Sequence, residues 1–331
     1  MPPGPRARIA LAAVAAGIAA GLAACNATTD GSAARALPPS HIEAQAVARW
    51  TAWSAPRNLG PVVNSAFNEE HPSLSRDNLS LYFVSDRPGG LGRRDIWVSR
   101  RPNPKAAWGP PVNLGPNINS ARDERSPTLS DDGRRLYFSS LGRGGCGMAD
   151  LFVAARDTRD DLGWRPAENL GCVVNSPFGD AGQALFEDAS TGVTTMFFAS
   201  SRPGGAGDFD IYRAQRRAGD KAFGPATLVP ELSGPFRDTR TAVSRDGLEI
   251  ILSSDVEGRQ GGVGGQDLWV SRRRTTRDRW SVPVNLGRPI NSEGYDGAPA
   301  LSFDGATLYF HSDRPGGSGG TDLYVATRHR R

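Results

Sequence analysis

Residues 53–60 read Trp-Ser-Ala-Pro-Arg-Asn-Leu-Gly, and this Trp-led phrase, with an internal Pro and a closing Asn-Leu-Gly, returns at 108–115, 164–171 and 280–287. A weakened copy runs from Phe223 to Pro230, so successive copies start 55, 56, 59 and 57 residues apart. A second landmark is an Asp that opens an alternating apolar stretch, as in Asp-Ile-Trp-Val-Ser-Arg-Arg from Asp95. Its counterparts begin at Asp150, Asp210, Asp267 and Asp322. Two independent landmarks in five copies each make the chain an array of five units, and a fixed period of this kind marks a repeat architecture.

Each unit reads as all-β. A short strand ending in Leu-Ser (Pro72 to Ser75) meets a polar turn, fullest as Asp131-Asp132-Gly133. Asp-Gly between alternating apolar runs predicts a hairpin. Leu81 to Ser85 predicts the second strand, the glycine-rich stretch 85–95 the next loop, Asp95 the start of the third strand, and the Trp-led phrase the fourth. Four short strands per unit around a ring predict a β-propeller, whose closure leaves only short protected edges. A Trp-led phrase already stands before the first complete unit, and the last unit has none after its third strand. The fold expected is therefore an all-β five-bladed β-propeller closed by an N-terminal strand completing the last blade. A solenoid would need capping repeats, whereas here the surplus and missing strands cancel.

Composition agrees with a turn-rich chain, since Gly (40) and Pro (25) are frequent and no collagen-like period is present. With 38% hydrophobic and 22% charged residues among 331, the chain is neither a disordered tail nor a multi-span membrane protein. Three Cys exclude a dense disulfide framework, and four His leave little for a histidine-rich metal site. The net charge of +4 falls to +2 without the first 24 residues, which hold Arg6 and Arg8 and no acid. Such a balance gives no footing for nucleic-acid binding.

The N-terminus has a basic start, an apolar run from Ile9 to Leu22 and small residues leading to Cys25. That is a secretory signal pattern, with an apolar run too short for a permanent span. Leu22-Ala23-Ala24-Cys25 resembles the bacterial lipobox. The resemblance implies a signal peptide over 1–24 and acylation, palmitate included, of Cys25. Asn26 in place of Asp implies the outer membrane, facing the periplasm. Residues 25–50 are then the lipidated N-terminus and tether, and 51–331 the propeller. Several acyl chains would hold the protein stably.

The repeat units resemble the WD40-like propeller repeats of TolB and other bacterial envelope proteins. The resemblance rests on the P-x-L-S-x-D-G turn, the L-Y-F-x-S-D-R-P-G-G run and the D-[IL]-[WY]-V strand, over roughly residues 53–328.

Several residues are candidates for chemistry. The loop between strands two and three and the connector to the next blade are expected on one face. Each connector carries an acid: Glu69, Glu124, Asp180, Asp238 and Asp296. Five carboxylates about one axis would suit Ca2+, which takes six to eight oxygens. The alternative is a structural acid within every blade, and no metal or other cofactor is assigned. The Asp opening each third strand is expected to accept backbone N–H groups of the preceding turn. Arg87, Arg202 and Arg314 share one position, with Gly142 and Val256 in the other two units, and either face a partner's anions or pair locally. Phe67, Phe178, Phe236 and Tyr295 are candidate contacts of a binding face or wedges between blades. His71 and His311 are unique to their units, and Glu70 is an extra acid beside Glu69. Gly316 to Gly320 fits G-x-S-x-G but lacks the strand-to-helix setting of a nucleophile elbow. Cys146 and Cys172 are candidates for a disulfide in an oxidising compartment.

The near-equivalence of the units, without a unique nucleophile–base pair, points to a monomeric lipid-anchored binding or scaffold propeller. It would engage an envelope protein or glycan through one face, and touch the membrane only through its anchor. The alternative is a carbohydrate-active, glycosidase-like propeller, which needs two carboxylates in different roles, or a sugar-binding one with a shallow site per blade.

Overall fold

The structure, a computed structural model, describes residues 49–159, 162–255 and 259–331. The signal-peptide and tether readings, with Cys25, fall outside these residues. Among the described residues twenty strands form five four-stranded antiparallel sheets. The first blade comprises β2 (Glu69–Leu74), β3 (Ser80–Ser85), β4 (Asp95–Arg100) and β5 (Val112–Asn113), and the second β6 (Asp123–Leu129), β7 (Arg135–Leu141), β8 (Ala149–Ala155) and β9 (Glu168–Asn169). The third is β10 (Asp180–Asp188), β11 (Val193–Ser200), β12 (Asp210–Arg217) and β13 (Thr227–Leu228). The fourth is β14 (Asp238–Val243), β15 (Glu249–Asp255), β16 (Gln266–Arg272) and β17 (Val284–Asn285). The fifth joins β18 (Asp296–Leu301), β19 (Thr307–Ser312) and β20 (Asp322–Thr327) to β1 (Arg57–Asn58), with Arg57 opposite Val325 and Asn58 opposite Tyr324. The five-bladed fold and its closure by the N-terminal strand are as the repeats predict.

The core is a ring of five apolar clusters rather than one centre. Each lies between neighbouring blades, as where Tyr82, Val84, Ile96 and Val98 of the first meet Leu136, Phe138 and Phe152 of the second. Both faces of each sheet are thereby covered, which is why the middle strands read as apolar runs with little alternation.

The repeated phrase has a mechanical meaning in this ring. The Asn of Asn-Leu-Gly turns its amide onto the Asp that opens the third strand of its own blade: Asn58 to Asp322 (2.7 Å), Asn113 to Asp95 (2.9 Å), Asn169 to Asp150 (2.9 Å) and Asn285 to Asp267 (2.7 Å). The Trp ring lies under an Arg that follows the third strand. Arg101 stands 4.1 Å from the Trp108 centroid, Arg156 4.3 Å from Trp164, Arg273 4.2 Å from Trp280 and Arg328 4.3 Å from Trp53. The same guanidinium groups donate through Nε to carbonyls of the first hairpin turn, at Asn78, Gly133, Gly247 and Gly305. In these four blades turn, third strand and fourth strand are tied by one side chain, which is why the motif recurs in them.

Candidate functional site on the propeller axis

The repeated acids belong to this scaffold. Glu69, Glu124, Asp180, Asp238 and Asp296 are fully buried and turned into their own blades. Glu69 accepts the N–H and hydroxyl of Ser65 (2.6 and 2.7 Å), the hydroxyl of Ser85 (2.9 Å) and the guanidinium of Arg87 (2.8 Å). Asp180 takes the same partners from Ser176 and Arg202, and Asp296 from Ser292 and Arg314. In the units with Gly142 and Val256 the cation comes from further along the loop. Arg143 lies 4.0 Å from Glu124, and Arg259 bonds Asp238 at 2.9 Å. A buried carboxylate is tolerable only when paired and hydrogen-bonded, and the blade supplies both. The five acids therefore do not converge on the axis as a calcium site. Arg87, Arg202 and Arg314 are likewise spent within their blades rather than presented to a partner. Among the described residues no group of three or more His, Cys, Asp and Glu is placed to hold a metal ion.

The Asp at each third strand caps the glycine-rich loop. Asp150 accepts the N–H groups of Cys146 (2.6 Å) and Gly147 (3.1 Å), and Asp322 those of Ser318 (2.6 Å) and Gly319 (3.1 Å). Ser318 of the G-x-S-x-G match is thus a turn residue. Cys146 and Cys172 are joined by a disulfide. Of the connector aromatics, Phe67 (41%), Phe178 (38%) and Tyr295 (56%) are exposed. Phe236 is half-buried, with the Arg259 guanidinium 4.9 Å from its centroid.

Equivalence of the blades ends at the axis. After the buried acid, each inner strand carries a register break: between Glu70 and Ser73, Arg125 and Thr128, Ala181 and Ala184, Thr239 and Thr241, and Gly297 and Ala300. One residue of each break has positive φ, namely His71 (53°), Ser126 (54°), Gly182 (69°), Arg240 (32°) and Ala298 (48°). Four of the five are not glycine, and each such residue costs on the order of 1–3 kcal/mol. Bulges re-aim side chains where a strand borders a site.

These breaks bring unlike residues together. The N–H of Ser126 donates to His71 Nδ1 (3.1 Å), Gln183 Nε2 donates to the Ser126 carbonyl, and Arg240 Nε reaches Ser126 Oγ at 3.4 Å. Because His71 Nδ1 accepts, its proton sits on Nε2, 3.9 Å from Glu70 Oε2. The His71 and His311 rings lie 5.6 Å apart. Glu70 Oε2 is 3.2 Å from Arg94 Nε, and Arg125 is 3.3 Å from Asp123. His71 and His311 are both buried, not the surface residues that isolated histidines suggest.

The electrostatics follow from this crowding. Burial pushes the Glu70 carboxyl up, but His311, Arg94, Arg240 and Arg125 outweigh it and hold the group below its ordinary range. Burial and then Arg240 keep His71 well below its usual value. Burial takes His311 to about 4 despite the opposing pull of Glu70. Both imidazoles are therefore neutral at neutral pH, and Glu70 is ionised. Among the described residues six buried polar atoms here have no hydrogen-bond partner: Arg94 Nε, Asp123 Oδ1, Arg125 Nε, Gln183 Oε1, Thr241 Oγ1 and His311 Nδ1. Such atoms are rare in native interiors and call for an explanation.

Beyond the bulges a channel of about 140 Å³ runs along the inner strands to the turns of the opposite side. There the residue at the end of each inner strand or at the start of its turn differs again: Arg76, Asp131, Glu187, Arg245 and Phe303. Arg76 and Arg245 stack on Phe303 at 4.3 and 5.1 Å. The N–H of Asp131 donates to Glu187 Oε1 at 2.8 Å. Burial raises both carboxyls.

Arg94, Arg125, Ser126, Gln183 and Arg240 escaped the sequence reading. A signal was present: the acid opening each inner strand persists while the two residues after it run Glu-His, Arg-Ser, Ala-Gly, Thr-Arg and Gly-Ala.

No family model matches the chain, and no curated protein is significantly similar to it in sequence. Solved structures do share its architecture. An α-L-arabinofuranosidase from Lactobacillus brevis superposes with a TM-score of 0.55 at 14% identity, covering 81% of this chain and 92% of its own. A GH43_1 enzyme from Xanthomonas citri, complexed with xylotriose, gives 0.54 at 15% identity, with 86% and 92% covered. An α-L-arabinofuranosidase from Podospora anserina, in complex with cellotriose, gives 0.52 at 12% identity, with 85% and 98% covered. At such identities the likeness establishes the five-bladed fold. The expectation of a binding or scaffold propeller that engages a protein or envelope component through one face is corrected by these findings, which favour the carbohydrate-active alternative. The neighbours are glycosidase propellers, and the equivalence that motivated the scaffold reading fails where the strands meet.

Proposed function

We propose that this chain is a saccharide-binding five-bladed propeller whose site is the asymmetric cluster on its axis. The observation that carries the reading is the gathering of unrepeated ionisable groups and unpartnered buried polar atoms there. Polar groups that converge beside exposed rings are what a sugar site requires. Phe67, Phe178 and Tyr295, exposed on the connectors, offer flat apolar faces to sugar rings. The neighbours complexed with xylotriose and cellotriose support the choice of ligand class. Binding is favoured over hydrolysis at this cluster because Glu70 is held ionised, so it accepts hydrogen bonds and is no general acid.

The resemblance of 22–25 to a lipobox, and of the repeats to the TolB type, supports placing this propeller on a lipid anchor at Cys25, facing the periplasm from the outer membrane. Mass analysis of the mature N-terminal peptide would find diacylglyceryl and acyl groups on Cys25, and an unmodified or absent Cys25 would remove the anchor.

Binding is tested on an array of neutral and acidic oligosaccharides, followed by calorimetry on the hits. The expected result is saturable binding of one ligand per chain, since the cluster exists once. Several equal sites per chain would favour a shallow site on each blade, and silence across the array would remove the reading.

Hydrolysis is a second reading, favoured by Asp131 and Glu187. Two neighbouring carboxyls with raised pKa at a channel mouth fit the acid and base of a glycosidase. Turnover of any arabinoside or xyloside, abolished by Glu187→Gln, would establish it.

A further inference from the structure

We infer that the axial cluster is built to take one carboxylate, the acid group of a uronic-acid-bearing saccharide, on the guanidinium of Arg240. The inference rests on the saccharide reading and adds the charge of the sugar to it.

Charge pairing carries the argument first. Around the bulges Arg94 is matched by Glu70 at 3.2 Å and Arg125 by Asp123 at 3.3 Å. Arg240 has no acid within ion-pair distance among the described residues, and its hydrogen bond is the long one from Nε to Ser126 Oγ at 3.4 Å. Among the described residues three cations thus face two anions, and no hydrogen bond engages the terminal nitrogens of the unmatched one. Those two nitrogens form the fork that grips a carboxylate by two parallel hydrogen bonds. One surplus charge matches a monoanion better than a phosphate, which carries nearly two.

The backbone shows that Arg240 is held in place at a cost. Its φ of 32° is strained for a residue with a side chain. Room for it exists only because Gly182 faces it: a Cβ there would come within 2.9 Å of the Arg240 N, Cα and Cγ. Burial lowers the guanidinium to about 9, with Glu70 opposing, so it remains charged at neutral pH. The residue as a whole is only half-buried and borders the axial channel. His311 Nδ1 and Gln183 Oε1 are buried without hydrogen-bond partners in the same cluster.

The test is calorimetry of the whole propeller with trigalacturonic acid and with its carboxyl-reduced, neutral counterpart. Wild type is expected to bind the acid about tenfold or more tightly than the neutral sugar. Arg240→Gln should erase that difference by weakening the acid far more than the neutral sugar, and Arg240→Lys should keep part of it. Equal binding of both sugars by wild type overturns the charge inference and leaves the saccharide reading standing. Binding of neither sugar, with a silent array, overturns both. Inorganic phosphate or acetate binding as tightly as the trisaccharide, and lost in Arg240→Gln, overturns the sugar as the source of the anion. Because the wild-type comparison decides alone, a variant that misfolds does not rescue the inference.

Discussion

The guanidinium of Arg328, after the last full strand, lies 4.3 Å from the ring centroid of Trp53, which precedes the first. The same guanidinium chelates Glu249 of the fourth blade at 2.6 and 3.2 Å. Beginning, end and neighbouring blade meet at one side chain, so ring closure is concentrated there. Arg328→Ala strands a buried carboxylate with Arg272 as its remaining cation. A loss of about 3 kcal/mol or more is expected. Trp53→Ala removes the half-buried ring and should cost about 2 kcal/mol. Urea denaturation measures both, and an unchanged midpoint in Arg328→Ala would show that closure does not hold the ring.

Position within the repeat separates scaffold from site. Asp180 is fully buried with two Ser176 bonds and Arg202 at 2.7 Å. Asp180→Asn should destabilise by about 3 kcal/mol without altering ligand selectivity. Glu70→Gln, at a partly exposed acid on the axis, should cost no more than about 1 kcal/mol yet change the sugars retained on an array. The opposite pattern would mean that the repeated acids, not the unique ones, face the ligand.

The ring was legible because its determinants repeat. Asn58 and Asp322, or Trp108 and Arg101, act inside one blade, so each blade writes the same letters at the same spacing. The axis is the converse. His71, Ser126 and Arg240 come from three blades, more than 50 residues apart in sequence, and meet only through bulges that no local pattern announces. Repeats also mislead at single positions. Tyr295 stands immediately before its acid, whereas Phe67 and Phe178 stand two residues before theirs, so the aromatics are not one series. Val256 hides a cation that Arg259 restores from three residues further on.

Acid should loosen the axis before the rest. An unfolded chain protonates its histidines near 6.5, while the folded one keeps His311 neutral to about 4 and His71 lower than its usual value. The unfolded state therefore binds more protons in this window, and stability present above about pH 6.5 drains as pH falls toward 4. Glu70, lowered in the fold, adds a loss of the same sign at still lower pH. Between about pH 7 and about pH 5 the His311 share is about 2 kcal/mol. His311→Gln should flatten the profile by that amount in urea titrations at both values. A variant as acid-sensitive as wild type would place the titration elsewhere.

The Cys146–Cys172 bond spans 26 residues of the second blade and its exit connector. Constraining a loop of that length is worth about 3 kcal/mol through the unfolded state. Cys146→Ser with Cys172→Ser should lower the urea midpoint accordingly without opening the ring, whose closure lies in the fifth blade. Two free thiols in the unreduced native protein would remove the bond from the account.

The exposed aromatics divide cleanly by measurement. Phe67, Phe178 and Tyr295 have 38–56% of their surface in solvent, so truncation gives up little burial, and each Ala variant should melt within about 0.5 kcal/mol of wild type. As platforms for sugar rings they should matter far more to binding, each costing about 1 kcal/mol of affinity. Phe236 is the internal control. It is half-buried with Arg259 over it, and Arg259 in turn holds Asp238, so Phe236→Ala should lower stability and leave affinity almost untouched. If instead the three exposed rings prove neutral for binding and Phe236 does not, the ligand does not lie across the connectors and contacts the channel alone.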